Sequence, residues 1–132
     1  MSSVLALGLD PRLADPESMS NLPPEVVRSF IDLQVQHIRA LGYDVEACLF
    51  DSDETAEAVL EDRIRGREFD CVMIGTSLRA PEHLLLFERL INLIHTELPH
   101  AKICFNSRPT DSAEAVQRWV PPMAARGPVR SH

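Results

Sequence analysis

Four short apolar runs, each followed by a stretch of helical periodicity, constrain this chain more than any other feature. They span residues 4–9, 45–50, 71–74 and 101–105. Strands that alternate with helices pair in parallel through right-handed crossovers, with helices on both faces of the sheet. The runs at 4–9 and 71–74 are apolar throughout, as strands covered on both faces must be, and belong at the centre. Glu46 interrupts the second run and Lys102 the fourth, which places both at edges. The expected architecture is an α/β three-layer sandwich around a four-stranded parallel sheet in the order 2-1-3-4.

The helices between the strands carry their own start and stop signals. Asn21 can cap the first, and Pro23 and Pro24 suit its first turn. Val27, Phe30, Ile31, Ile38 and Leu41 then recur at helical spacing, a stripe expected to pack on the sheet. Gly42 supplies a left-handed stop. The second helix spans about residues 54–65, capped by Ser52 or Asp53, with Ala56, Leu60 and Ile64 inward and Gly66 at its end. Pro81 opens the third helix and Pro99 stops it. Leu84, Phe87, Ile91, Ile94 and Leu98 make one face of that helix. Leu86, Leu90 and Leu93 widen the face, and Leu85 lies on the polar side. Asp111 and Glu114 form a capping box for the last helix, which carries Val116, Trp119 and Val120.

A chain of 132 residues suits one domain, assigned to residues 1–120, with a flexible C-terminal tail over 121–132. The formal net charge of −7 repels phosphate backbones and anionic membrane surfaces. Nucleic acid is therefore not an expected partner. No run of about 18 apolar residues is present to span a membrane. The N-terminus has no basic start and reads as a first strand rather than a signal peptide. Cys48, Cys71 and Cys104 are odd in number and lack CxxC spacing, so they are expected to be buried, reduced thiols of a cytoplasmic protein.

In sheets of this kind, ligands bind outside the carboxyl ends of the strands, where the strand order reverses. The candidate rim there comprises Asp10, Arg12, Gly75, Thr76, Ser77, Asn106 and Ser107. Gly75-Thr76-Ser77 could offer backbone amides and hydroxyls to a small anion. Asp51, Ser52 and Asp53 are explained by capping alone. No GxxxxGK[ST] loop, GxGxxG or GxSxG elbow occurs, which removes the support for nucleotide binding or hydrolase chemistry of those kinds. The histidines form no ligand cluster, so no metal is expected, and they read as surface residues.

Asp70-Cys71-Val72-Met73-Ile74-Gly75, then Ala80-Pro81, the apolar third helix and Ala101-Lys102-Ile103-Cys104-Phe105 follow the rhythm of a bacterial response-regulator receiver domain. In element order, residues 1–120 resemble that family, within the flavodoxin-like group. The resemblance implies an acidic pair after the first strand, where only Asp10 matches. It implies a phosphorylated aspartate ending the third strand, where Ile74 and Gly75 stand instead. Asn106 or Ser107 falls where receivers place a hydroxyl residue, and a fifth strand with its lysine has no counterpart. The resemblance thus implies a degenerate relative that is not phosphorylated on aspartate.

Two functions follow as expectations. One is a non-catalytic regulatory or protein-interaction module without a cofactor, homodimeric through the excess apolar surface at Leu86, Leu90 and Leu93. The alternative is a small-ligand-binding protein or enzyme that uses the polar strand-end rim. A flavin mononucleotide site needs a hydroxyl-rich loop after the first strand, and Asp10-Pro11-Arg12-Leu13 lacks one.

Overall fold

The first strand, β1 (Ser3–Leu9), alternates large and small side chains, and that alternation organises the molecule. Leu5, Leu7 and Leu9 point to one face of the sheet, and Val4 and Ala6 to the other. In the computed structural model, which describes residues 2–13, 23–108 and 110–121, β1 pairs in parallel with β2 (Asp44–Phe50) on one side and β3 (Cys71–Ile74) on the other. The fourth strand, β4 (Lys102–Phe105), pairs with β3, completing the expected order β2-β1-β3-β4.

The leucine face is covered by α2 (Asp53–Ile64) and α3 (Leu84–Glu97). Ala56, Leu60 and Ile64 of α2 are buried there, as expected, beside Leu78, Leu86, Leu90 and Ile94. The other face is covered by α1 (Pro24–Ala40) and α4 (Ser112–Trp119) through Ile38, Ala113, Ala115 and Val116. Ser52 caps α2, its hydroxyl accepting from the Glu54 amide at 3.0 Å. Gly42 and Gly66 follow their helices at φ 105° and 69°, left-handed values that favour glycine. At the open edge of β2, Glu46 binds Arg63 (2.8 Å) and Arg67 (2.7 Å), placing charge where another strand could otherwise add.

Four local expectations are corrected. Leu86 and Leu90, expected as surplus apolar surface, are the buried residues of α3, and Leu93 packs partly against the same core. The exposed residues are Leu84 and Leu85 instead. A turn of 3-10 helix at Pro81–His83 leads into α3 and sets its rotation, which periodicity alone does not. Asp111 makes no cap bond to α4 and accepts instead from Ser107 and Arg108, so no capping box forms. Trp119 is exposed, while the small residues of α4 face the sheet. His83 is not a surface histidine: its Nδ1 lies 2.7 Å from Asp53 Oδ2 and its side chain is largely covered.

Asn21 and the expected tail beyond Pro121 lie outside the described residues.

Candidate functional site

On the α1 face the central strand loses bulk toward its carboxyl end, from Val4 to Ala6 to Gly8. Register places Val45 beside Val4 and Cys71, then Ala47 beside Ala6 and Met73, then Leu49 beside Gly8, with Gly75 just beyond β3. Val4 and Val45 are packed by Ile38 and Tyr43. Above the alanine and glycine rows α1 stands off from the sheet, leaving a cleft of about 100 Å³. Val27, Phe30, Ile31, Gln34 and Val35 of α1 form its roof. This corrects the expectation that the α1 stripe packs down along its length: Phe30 remains 38% exposed above a floor in which Ala6, Gly8 and Ala47 lie beside the larger Met73 and Leu49.

The cleft opens at the rim identified from the sequence. Of the seven candidate residues, Gly75, Thr76, Ser77 and Asn106 line it. Asp10, Arg12 and Ser107 do not. Asp10 is bound by Arg12, which reaches back to it through Nη2 (2.9 Å) and Nε (3.1 Å) and through its own amide (3.0 Å). The Arg12 guanidinium holds the Asp10 carboxyl down, at about 2. The Ser107 hydroxyl and amide both donate to Asp111, so Ser107 builds the turn before α4.

Asn106 is 6% exposed and held from several directions. Its Nδ2 donates to Ser112 Oγ at 3.2 Å, and its carbonyl accepts from Arg79. The same guanidinium donates to the Ile74 carbonyl at 3.0 Å and lies over the Phe105 ring. Asn106 Oδ1 has no partner, and neither has the buried Oε1 of Gln34 in the roof of the same cleft. Ser77 Oγ accepts from the Leu9 amide at 3.3 Å, leaving its own proton to donate elsewhere.

Among the described residues no charged residue lines the cleft. The rim arginines are committed: Arg12 to Asp10, Arg79 to two backbone carbonyls, and Arg108 to Asp111 at 3.9 Å. The expected small anion therefore finds no free cation among these rim residues. What the cleft offers instead is apolar surface, two bare acceptor oxygens and hydroxyls. Gln34 and the small residues Ala6, Gly8 and Ala47 were not among the sequence candidates. The signal for Ala6 and Gly8 was the size alternation within residues 4–9, hidden because every residue of that run is apolar.

No family model matches the chain, and neither does any curated protein. Among solved structures it is similar to a fragment from Peptoclostridium difficile 630 described as a "putative lipoprotein". The TM-score is 0.51 at 9% identity, over 87% of this chain and 91% of that one. At that identity the likeness speaks for the parallel α/β fold alone. No helix among the described residues is long and apolar enough to cross a membrane.

Proposed function

We propose that this protein is a non-catalytic binding module that holds a small molecule in the cleft beneath α1. The observation that carries this reading is the pair of buried acceptors, Gln34 Oε1 and Asn106 Oδ1, which have no partner among the described residues and belong to side chains lining a largely apolar cleft. A buried polar atom without a partner costs about 1–3 kcal/mol. A ligand that supplies the missing donors recovers that cost and fills the space. Among the described residues the lining contains no carboxylate, histidine, thiol or cation, hence no ready general acid, base or activated nucleophile there. That supports binding over catalysis.

Two further parts of the reading rest on other residues. β3 ends on Ile74 and Gly75, and Asp10 is tied to Arg12, which supports a module not phosphorylated on aspartate. The three unpaired, buried thiols support a cytoplasmic location.

The test is a screen of small neutral fragments against isotope-labelled protein by NMR. Binders should shift Ala6, Ile31, Val35 and Met73, and Val35→Phe, which fills the cleft from the helix side, should abolish the shifts. Hits that scatter elsewhere, or that bind the folded Val35→Phe protein equally well, would refute the reading.

Self-association is a second reading, on a different observation. Leu84, Leu85 and Phe105 are exposed where α3 begins beside the open edge of β4, and Phe105 meets Phe87 edge-on at 5.8 Å. A twofold pair would bury such a corner on both copies at once. Sedimentation equilibrium should then give twice 14.8 kDa, and Leu85→Glu should return the monomer. A wild-type monomer at high micromolar concentration would end this reading.

A further inference from the structure

The chemistry of the cleft restricts what can occupy it, and this step rests on the cleft being a binding site. We infer that the ligand class is a compact, uncharged molecule with an apolar body and one polar end of the hydroxyl type, able both to donate and to accept. Anions and cations are rejected.

Size comes first. The enclosed space is about 100 Å³, smaller than the roughly 150 Å³ that accommodates benzene. In proportion that encloses about four heavy atoms, the rest of a slightly larger molecule reaching into the mouth. Ala6, Met73, Ile31 and Val35 would surround the apolar part.

Polarity comes second. As placed, the Asn106 side-chain amide donates to Ser112 and its backbone carbonyl accepts from Arg79, which leaves Oδ1 without a partner among the described residues. Its Oδ1 and Gln34 Oε1 both require donors. The Ser77 hydroxyl, which already accepts from Leu9, is left to donate. A neutral hydroxyl supplies a donor to one of these oxygens and meets the serine as well: its proton goes to an amide oxygen and its lone pair receives the serine proton.

Charge comes third. A carboxylate or phosphate would confront two amide oxygens and no free cation, since Arg12 and Arg79 are already engaged. An ammonium group could donate, but among the described residues no carboxylate lines the cleft to balance it. An unpaired ion in such a space is strongly disfavoured.

A matched series tests this with the full chain: cyclopentanol, cyclopentane, cyclopentylamine in its ammonium form, and cyclopentanecarboxylate, each titrated while methyl and side-chain amide NMR signals are followed. Cyclopentanol should bind about tenfold tighter than cyclopentane, the ratio expected for pairing a buried acceptor. It should move the side-chain amide signals of Gln34 and Asn106, and neither charged analogue should saturate. Gln34→Leu should erase the tenfold preference while cyclopentane still binds. Asn106→Leu should do the same if it folds, and Gln34→Leu, on the helix roof, keeps the test intact if it does not. Equal binding of alcohol and hydrocarbon, or tighter binding of either ion, overturns the ligand class and leaves the cleft as a site. Failure of all four compounds to move any cleft signal overturns the site itself.

Discussion

The phenolic hydroxyl of Tyr43 donates a 2.5 Å hydrogen bond to the carbonyl oxygen of Val120, spanning 77 residues of sequence. Both residues are buried, at 1% and 4% exposure. The bond ties the end of α4 to the turn that opens β2. Tyr43→Phe keeps the ring and strands the carbonyl, so it should cost about 1–3 kcal/mol. Urea denaturation should show a lower midpoint at unchanged slope; a loss under about 0.5 kcal/mol would mean that another donor reaches Val120.

Asp10 predicts a pH dependence of known sign. Its carboxyl is held at about 2, below an ordinary value of 3.8, chiefly by the Arg12 side-chain hydrogen bond. Because the folded value is the lower one, the stabilisation is complete above the ordinary range and is lost as pH falls through about 2. Carbon-detected NMR titration of the Asp10 carboxyl should place its midpoint near 2, and Arg12→Ala should move it toward the ordinary value. An unmoved midpoint in the variant would show that Arg12 is not the cause. The effect on stability should be small, since Arg12 is largely exposed.

Cys71 and Cys104 sit on adjacent strands with their sulfurs 3.4 Å apart. The hydrogen bond to Cys104, together with burial, pushes the Cys71 thiol up. Neither thiol should react promptly with a disulfide reagent in the native protein, and all three cysteines should titrate once denaturant is added. Prompt native reactivity of either residue, or a mass two hydrogens short, would contradict this.

Gly66 and Gly75 should tolerate alanine equally poorly for opposite reasons. At Gly66 nothing lies near an added Cβ, but φ is +69°. Gly66→Ala should therefore cost about 1–2 kcal/mol through the backbone alone, and Gly66→Asn less. At Gly75 the backbone is ordinary, yet a Cβ would come within 3.2 Å of the Leu7 carbonyl oxygen. Gly75→Ala should cost about 1–3 kcal/mol through crowding, with no relief from asparagine. Thermal melts of the four variants separate the two causes, and an asparagine that rescues position 75 would refute the second.

The strand order was legible because burial on two faces leaves an unbroken apolar run, and Glu46 and Lys102 marked the exceptions. Gly42 and Gly66 were legible because a left-handed residue narrows the choice to very few side chains. The working face of α3 was not. Residues 84, 87 and 91 and residues 86, 90 and 94 are both apolar stripes at helical spacing, and the helix's rotation depends on how the chain enters it. The rule for strand ends drew attention to the end of the sheet where Gly75, Thr76, Ser77 and Asn106 line the cleft. The cleft itself escaped, because it arises from what is missing at Gly8, Ala6 and Ala47, and an absence of volume carries no signal in a pattern of polar and apolar letters. Gln34 escaped because a polar residue on α1 reads as solvent-facing until the sheet opposite it is known to be hollow.

The segregation of the core into two clusters also sets an order of events on the ribosome. Once Leu98 has been synthesised, every member of the leucine-face cluster exists, and α2 and α3 can close over β1 and β3. The opposite cluster still lacks Cys104, Ala113, Ala115, Val116 and Val120. A chain of that length has only α1 on the opposite face, with Cys71 and Met73 open to solvent or a chaperone. A stalled chain released near residue 105 should therefore be a chaperone client with one finished face, and the last fifteen residues of the described fold should decide whether it leaves as a native protein.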